Sequence, residues 1–309
     1  MADVKFYIII PTYNRVEKLK KAIQSVLQQI YQNFHIIIVD DHSQKSNSSE
    51  VKNFIKNNDK ISYYYLSENH GHCFARNYAL KMIKNDDCWI KYLDDDDIML
   101  QNCLQDVNGF IQDKNVDVIT TDFKILDDNN NLIKIVYPNY LKESVFNGNL
   151  DTCCICHKYS LFKKIGGWDE YLYRMADDDF FFNYISNGKY DYLNKITSVF
   201  YRTKSHDRVS NQVTNLKYIN HIANKYSYFN KKCLIICDNK YVDNILSTEF
   251  NIESFMKFDI NKNPSNKYDF YIYIKDYDVL NDIFNHYYKT KENMFEIKNS
   301  LFIKNKLKA

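Results

Sequence analysis

Glycine and proline are scarce in this chain, 6 and 3 among 309 residues. That excludes collagen-like, proline-rich and glycine/serine-linker architectures. Glycine is also missing from Pro11-Thr12-Tyr13-Asn14-Arg15, where a triphosphate-binding loop would need it. No stretch approaches the ~18 uninterrupted apolar residues of a membrane-spanning helix, and no secretory leader is legible: Met1-Ala2-Asp3 passes into a short apolar run that stops at Pro11. Charge of one sign is lacking too. Lys and Arg total 41 against 39 Asp and Glu, a net charge of +2, which provides no global field for a nucleic-acid partner. The eight Cys sit mostly inside apolar runs and read as reduced core residues of a cytoplasmic protein. The cluster Cys153-Cys154-x-Cys156-His157 lacks the second pair of ligands that a structural zinc site takes, so it too reads as core.

A hydrophobic fraction of 45%, with 27 Tyr and 20 Phe, is enough for a sizeable core. The length suits one large domain plus a small appendage. Strand and helix patterns alternate along the first third. The apolar run at 6–10 reads as a strand buried on both faces, and 35–39, 61–66 and 89–93 read as further strands. Between them, Leu19, Ala22, Ile23, Val26 and Leu27 repeat at helical spacing behind Asn14, a residue suited to cap that helix. Shorter helices are expected around Val51, Phe54 and Ile55 and around Phe74, Tyr78 and Met82. The order implies a mostly parallel sheet with helices on both faces. Further on, strands are expected at 116–121, 152–157 and 198–202, a hairpin around 127–131, and helices at 158–164 and 177–186. From about residue 230 the pattern restarts, with strands at 233–237 and 270–274 and helices at 241–246 and 279–288. We therefore divide the chain into residues 1–229 and a small α/β region, 230–309. Its last stretch, with Phe295, Leu301, Phe302, Ile303 and Leu307 among lysines, reads as a basic amphipathic helix, docked on its own domain or lying on an anionic membrane.

The chemistry gathers at strand ends. In parallel sheets ligands bind outside the C-terminal ends of the strands, and here those ends carry Thr12-Tyr13-Asn14-Arg15, Asp40-Asp41-His42-Ser43 and Asp94-Asp95-Asp96-Asp97. Four adjacent carboxylates repel one another and raise each other's pKa unless a cation arrives. Oxygen ligands beside a phosphate-bearing substrate suit Mg²⁺ or Mn²⁺. On an extended backbone Asp94 and Asp96 point one way, Asp95 and Asp97 the other.

Six motifs occur in order: Pro11-Thr12-Tyr13-Asn14-Arg15, Val39-Asp40-Asp41-His42-Ser43, Asn69-His70-Gly71-His72 with Ala75-Arg76-Asn77, Leu93-Asp94-Asp95-Asp96-Asp97, Ile165-Gly166-Gly167-Trp168-Asp169-Glu170 and Asp177-Asp178-Asp179-Phe180-Phe181. Together they resemble the family-2 glycosyltransferases, which have the GT-A fold; the resemblance covers roughly residues 5–210. It implies an inverting, metal-dependent enzyme that moves a sugar from a nucleotide sugar, most often a UDP-sugar, to a hydroxyl of a glycan or other acceptor. By that resemblance Pro11, Thr12, Tyr13 and Arg15 belong to the nucleotide pocket. Asp41 accepts from the uracil edge, which suits a group that can only accept. Arg76 reaches the base or diphosphate, and Asp94 or Asp95 faces ribose or sugar hydroxyls. Asp96 ligates Mn²⁺ or Mg²⁺, joined by His206. Asp178 is the base that activates the acceptor, with Asp177 beside it and Trp168 near the sugars. Three positions depart from the family pattern: His42 where Gly is common, Asp177-Asp178 in place of Glu-Asp, and Tyr184 where many members carry Arg. Two other classes of function stay open at this point. A nucleotidyltransferase would want the glycine-rich loop that is missing, and a non-catalytic nucleotide-sugar or glycan-binding module would not need both acidic clusters.

Overall fold

A computed structural model describes residues 4–112, 114–138, 151–173 and 176–202, Lys225, and the backbone of four short strands in the tail. The chain divides into two compact units, residues 1–145 with 149–209, and residues 146–148 with 210–309. The division expected from sequence, 229/230, falls outside the described residues.

The first unit is built on a nine-stranded mixed sheet. Its first half is β1 (Lys5–Thr12), α1 (Val16–Leu27), β2 (Phe34–Asp40), α2 (Lys45–Ile55), β3 (Ile61–Tyr65), α3 (His72–Met82) and β4 (Cys88–Tyr92). β2 and β4 flank β1 in parallel, and β3 adds to β2. The branched residues Ile8, Ile9, Ile10, Ile36, Ile37, Ile38 and Val39 are buried along β1 and β2, as expected of strands covered on both faces. α1 lays Leu19, Ala22, Ile23 and Val26 into the same core, with Leu27 at its margin. Its cap differs from the expectation. Asn14 has a positive φ of 56°, and its Oδ1 accepts from Gln44 N at 2.8 Å, so it ties the β1 loop to the β2 loop and the helix starts one residue later. Asn tolerates that left-handed conformation better than most residues.

The second half is β5 (Ile98–Met99), α4 (Cys103–Ile111), β6 (Val118–Leu126), β7 (Leu132–Val136), a 3₁₀ turn (Thr152–Cys154), β8 (Ile155–Lys158), α5 (Tyr159–Ile165), α6 (Ala176–Asn187) and β9 (Tyr190–Tyr201). β8 runs antiparallel to both β4 and β6, and β9 lies parallel to β6. The strand expected at 152–157 thus begins as a turn, because Asp151 caps it through Cys153 N. In the second unit β10 (Cys233–Ile236), β11 (Ser254–Phe255), β12 (Phe270–Tyr273) and β13 (Phe302–Ile303) form a four-stranded sheet. β13 falls where a basic helix was expected. Phe302 and Ile303 are good strand formers, and they pair antiparallel with Tyr273 and Ile272.

Candidate active site

Strand order β3-β2-β1-β4 puts the chain's change of direction between β1 and β4, the place where an open α/β sheet leaves a crevice. The three polar strand ends meet there. Thr12 Oγ1 donates to Asp95 Oδ2 at 2.8 Å, Asn14 N donates to Ser43 Oγ at 2.8 Å, and Asp41 N donates to Thr12 O at 2.9 Å.

The Asp run is a turn rather than an extended strand: Asp97 N donates to Asp94 O at 3.1 Å. The turn replaces the simple two-sided alternation. Asp95 and Asp96 share Arg15, whose Nη1 lies 3.1 Å from each, and Lys18 Nζ stands 3.5 Å from Asp96. Asp94 takes a separate partner, Arg76 Nη2, at 2.6 Å. Burial raises the Asp94 carboxyl, but Arg76 and then His72 outweigh it and hold it below its ordinary value. Burial pushes Asp95 up to about 7 despite Arg15. Asp97 goes well above the carboxylate range through burial and the charges of Asp151, Asp96 and Asp94.

Arg76 is 2% exposed. Its guanidinium sits 4.4 Å from the centroid of the Trp168 ring, and Nε and Nη1 have no hydrogen-bond partner among the described residues. Trp168 is 3% exposed and stacks on Phe180 at 4.0 Å. It packs in the core under Arg76. Tyr184, at the position where Arg is common, is also core: its hydroxyl donates to Gly166 O at 2.8 Å. Tyr13 is 49% exposed, so its ring is open to stacking, and Pro11 lies in β1 beside Val39. Asp41 uses both carboxylate oxygens to hold the next loop, accepting from His70 N at 2.8 Å and Gly71 N at 2.7 Å. His42 has a φ of 70°, which explains why glycine is at home there.

α6 opens with the second acidic cluster. Burial raises Asp177 to about 6, with Arg76 opposing and Asp94 adding. Asp178 rises to about 7 through burial and its neighbours Asp177 and Asp179. Asp177 therefore feels the groups at the Asp run, whereas Asp178 responds to its own helix. Asp179 is buried.

Sequence reasoning missed Asp151. It rises to about 7 through burial and the charges of Asp94 and Asp177, and it meets Asp97 and Cys153 closely enough that one donor atom from each lies within 4.8 Å of the others. A lone Asp before a cysteine-rich run carries no signal until β4 and β8 pair. Asp96 is outside that trio, and His206 lies outside the described residues.

Residues 7–165 match the family described as glycosyl transferase family 2. An uncharacterized glycosyltransferase of Rickettsia bellii (strain RML369-C) is 30% identical over 155 residues, 50% of this chain; the chain spans 22% of that relative's length. S. aureus TarS, as a crystal structure of residues 1–349 in complex with UDP-GlcNAc, superposes with a TM-score of 0.60 at 22% identity, covering 72% of this chain and 65% of TarS. A mannosyltransferase from Pyrobaculum calidifontis in complex with GDP-Man and Mn²⁺ superposes with a TM-score of 0.51 at 14% identity, over 67% of this chain and 59% of the other. The curled, mixed sheet flanked by helices is the GT-A architecture of these neighbours, and with the family match spanning residues 7–165, the chain belongs to glycosyl transferase family 2.

Proposed function

We propose that this chain is an inverting glycosyltransferase that moves a hexosyl or N-acetylhexosaminyl group from a UDP-sugar to a hydroxyl of a glycan or other acceptor. One observation carries the reading: the Asp run, Arg15 and Arg76 share a crevice whose electrostatics reach the acidic head of α6. TarS was crystallised with UDP-GlcNAc, which supports the donor class. Tyr13 stacks on the base, Thr12 and Asp41 shape its pocket, and Arg15 and Arg76 receive the diphosphate. A carboxylate of α6 takes the proton from the acceptor hydroxyl as that oxygen attacks the anomeric carbon from the face opposite UDP.

A divalent cation fits the Asp run, whose four carboxylates meet only Arg15, Lys18 and Arg76 as cationic partners among the described residues. When bound, Mn²⁺ or Mg²⁺ neutralises charge on the departing diphosphate. Asp96 and His206 are the ligands that the family motif proposes.

For the base, the motif favours Asp178, and the coupling of Asp177 to Arg76 and Asp94 favours its neighbour. The pH profile separates the two. If Asp178 is the base, Asp178→Asn keeps UDP-sugar binding and loses transfer. Asp177→Asn then only moves the acid limb to lower pH, because it removes a negative neighbour. If Asp177 is the base, Asp177→Asn keeps UDP-sugar binding and loses transfer, whereas Asp178→Asn retains transfer with the acid limb in place, since Arg76 and Asp94 set the Asp177 carboxyl. The assay is metal-dependent release of UDP. Release of pyrophosphate would indicate a nucleotidyltransferase, and UDP-sugar binding without turnover across a panel of acceptors a binding module.

A further inference from the structure

Asp97 comes from the end of the Asp run, and Asp151 and Cys153 from the 3₁₀ turn before β8. Their donor atoms, two carboxylate oxygens and a thiol sulfur, lie within 4.8 Å of one another. Asp97 is 1% exposed. Its Oδ1 has only a long contact from Tyr201 N at 3.4 Å, and its Oδ2 has no partner among the described residues. A buried carboxylate oxygen left without a partner is costly. Among the described residues, Arg15 and Lys18 pair with Asp95 and Asp96, and Arg76 with Asp94. Lys91 Nζ donates to Cys153 O at 2.6 Å.

The turn that carries two of the three donors is held in place. Asp151 Oδ1 accepts from Cys153 N at 3.1 Å. Cys153 O accepts from Lys91 and also from Ser198 Oγ, at 2.8 Å. Hydrogen bonds of this kind orient metal ligands. They leave the Asp151 carboxylate and the Cys153 sulfur beside the orphaned oxygen of Asp97. We infer that Asp97, Asp151 and Cys153 form a site for one divalent transition-metal ion, and that the thiol makes it prefer Zn²⁺ or Co²⁺ to Mg²⁺.

Hard oxygen-only sites suit Mg²⁺, whereas a thiolate ligand selects softer ions. Three protein donors leave a fourth position open, as in a reactive rather than a purely structural site. The site draws its donors from Asp97, Asp151 and Cys153 and does not use Asp96 as a ligand. The inference rests on the transferase reading only for the ion's use, not for its site.

The test is calorimetric titration of the full chain with Zn²⁺, Mn²⁺ and Mg²⁺, and absorption spectra with Co²⁺. The expected result is one ion per chain, Zn²⁺ at least about tenfold tighter than Mg²⁺, and a thiolate-to-cobalt charge-transfer band. Cys153→Ser should abolish the band and the preference for Zn²⁺, and Asp97→Asn and Asp151→Asn should each weaken Zn²⁺ by about tenfold or more. Asp96→Asn should leave the band in place. If the aspartate variants fail to fold, the cobalt spectrum of Cys153→Ser against wild type decides. No band in wild type, or a band unchanged in Cys153→Ser, overturns the inference and leaves a proton shared between Asp97 and Asp151 as the compensating charge. UDP release in Mg²⁺ alone, with no Zn²⁺ bound at these residues, sinks the site and spares the transferase. Zn²⁺ bound at these residues, with no UDP released from any sugar nucleotide, does the reverse.

Discussion

Arg76 is the side chain on which most of the crevice's charge balance turns. It is buried, it pairs with Asp94 at 2.6 Å, and its positive charge also lowers the pKa of Asp177. Removing one member of a buried ion pair strands the other, at a cost of about 3–5 kcal/mol. Arg76→Ala should therefore lower the free energy of unfolding in urea by about that amount. Arg76→Lys should recover only part of it, because an ammonium cannot reproduce the planar guanidinium over the Trp168 ring. His157 is a quieter case. Burial lowers it to about 4. Its Nδ1 stands 2.8 Å from Lys158 O, which can only accept, so Nδ1 carries the proton and Nε2 accepts from Tyr92 OH at 3.0 Å. This neutral histidine is a core spacer, in line with its place in a segment that reads as core.

At the scale of elements, the loop between α5 and α6 is fastened to α3. Asn77 Oδ1 accepts from Trp168 N, and its Nδ2 donates to Trp168 O and to Glu170 Oε1, each at 2.8 Å. That approach requires glycine at 167, where an added Cβ would fall 2.2 Å from Asn77 Oδ1. Gly167→Ala should cost about 1–3 kcal/mol through forced repacking, read as a lower urea midpoint with an unchanged m-value. Because the same loop seats Trp168 beneath Arg76, the variant should also weaken UDP binding in a calorimetric titration, while an exposed change such as Lys164→Ala leaves both intact.

Over the described residues, the buried and half-buried acid exceeds what the described cations neutralise. Asp95, Asp151 and Asp178 are each raised to about 7, Asp177 to about 6, and Asp97 further, with burial the largest cause throughout. For a carboxyl whose pKa is higher folded than unfolded, the native state binds more protons, so stability falls as pH rises between the two values. The contribution is fully present below about pH 4, the unfolded value, and is lost as pH passes 6 to 7 and above. Metal-free protein should thus melt higher at pH 5.5 than at pH 8, both rough settings on either side of the shifted range. A saturating divalent cation should close most of that gap, because an ion that binds only the folded state stabilises it. Melting temperatures that rise with pH in the absence of metal would show that these groups do not dominate the titration.

The sequence by itself determined the alternation of strands and helices up to β4, the polar strand ends and the acidic head of α6. These rest on apolar runs, helical periodicity and like-charge crowding, which are local. α4, with Cys103, Leu104, Val107 and Ile111 as its buried face, is not legible in the sequence, because it is only nine residues long and carries Gly109, a poor helix former, in its interior. Tertiary structure decided the rest. Only the turn at 94–97 shows which cations Asp94, Asp95 and Asp96 take, and only the packing of α3 under the glycine loop puts Trp168 in the core and Tyr184 beneath Gly166. Only the pairing of β4 with β8 brings Asp151 and Cys153 to Asp97, across more than fifty residues of chain. Periodicity reports which face a residue occupies; which charges meet across a crevice depends on non-local strand order, which no local pattern encodes.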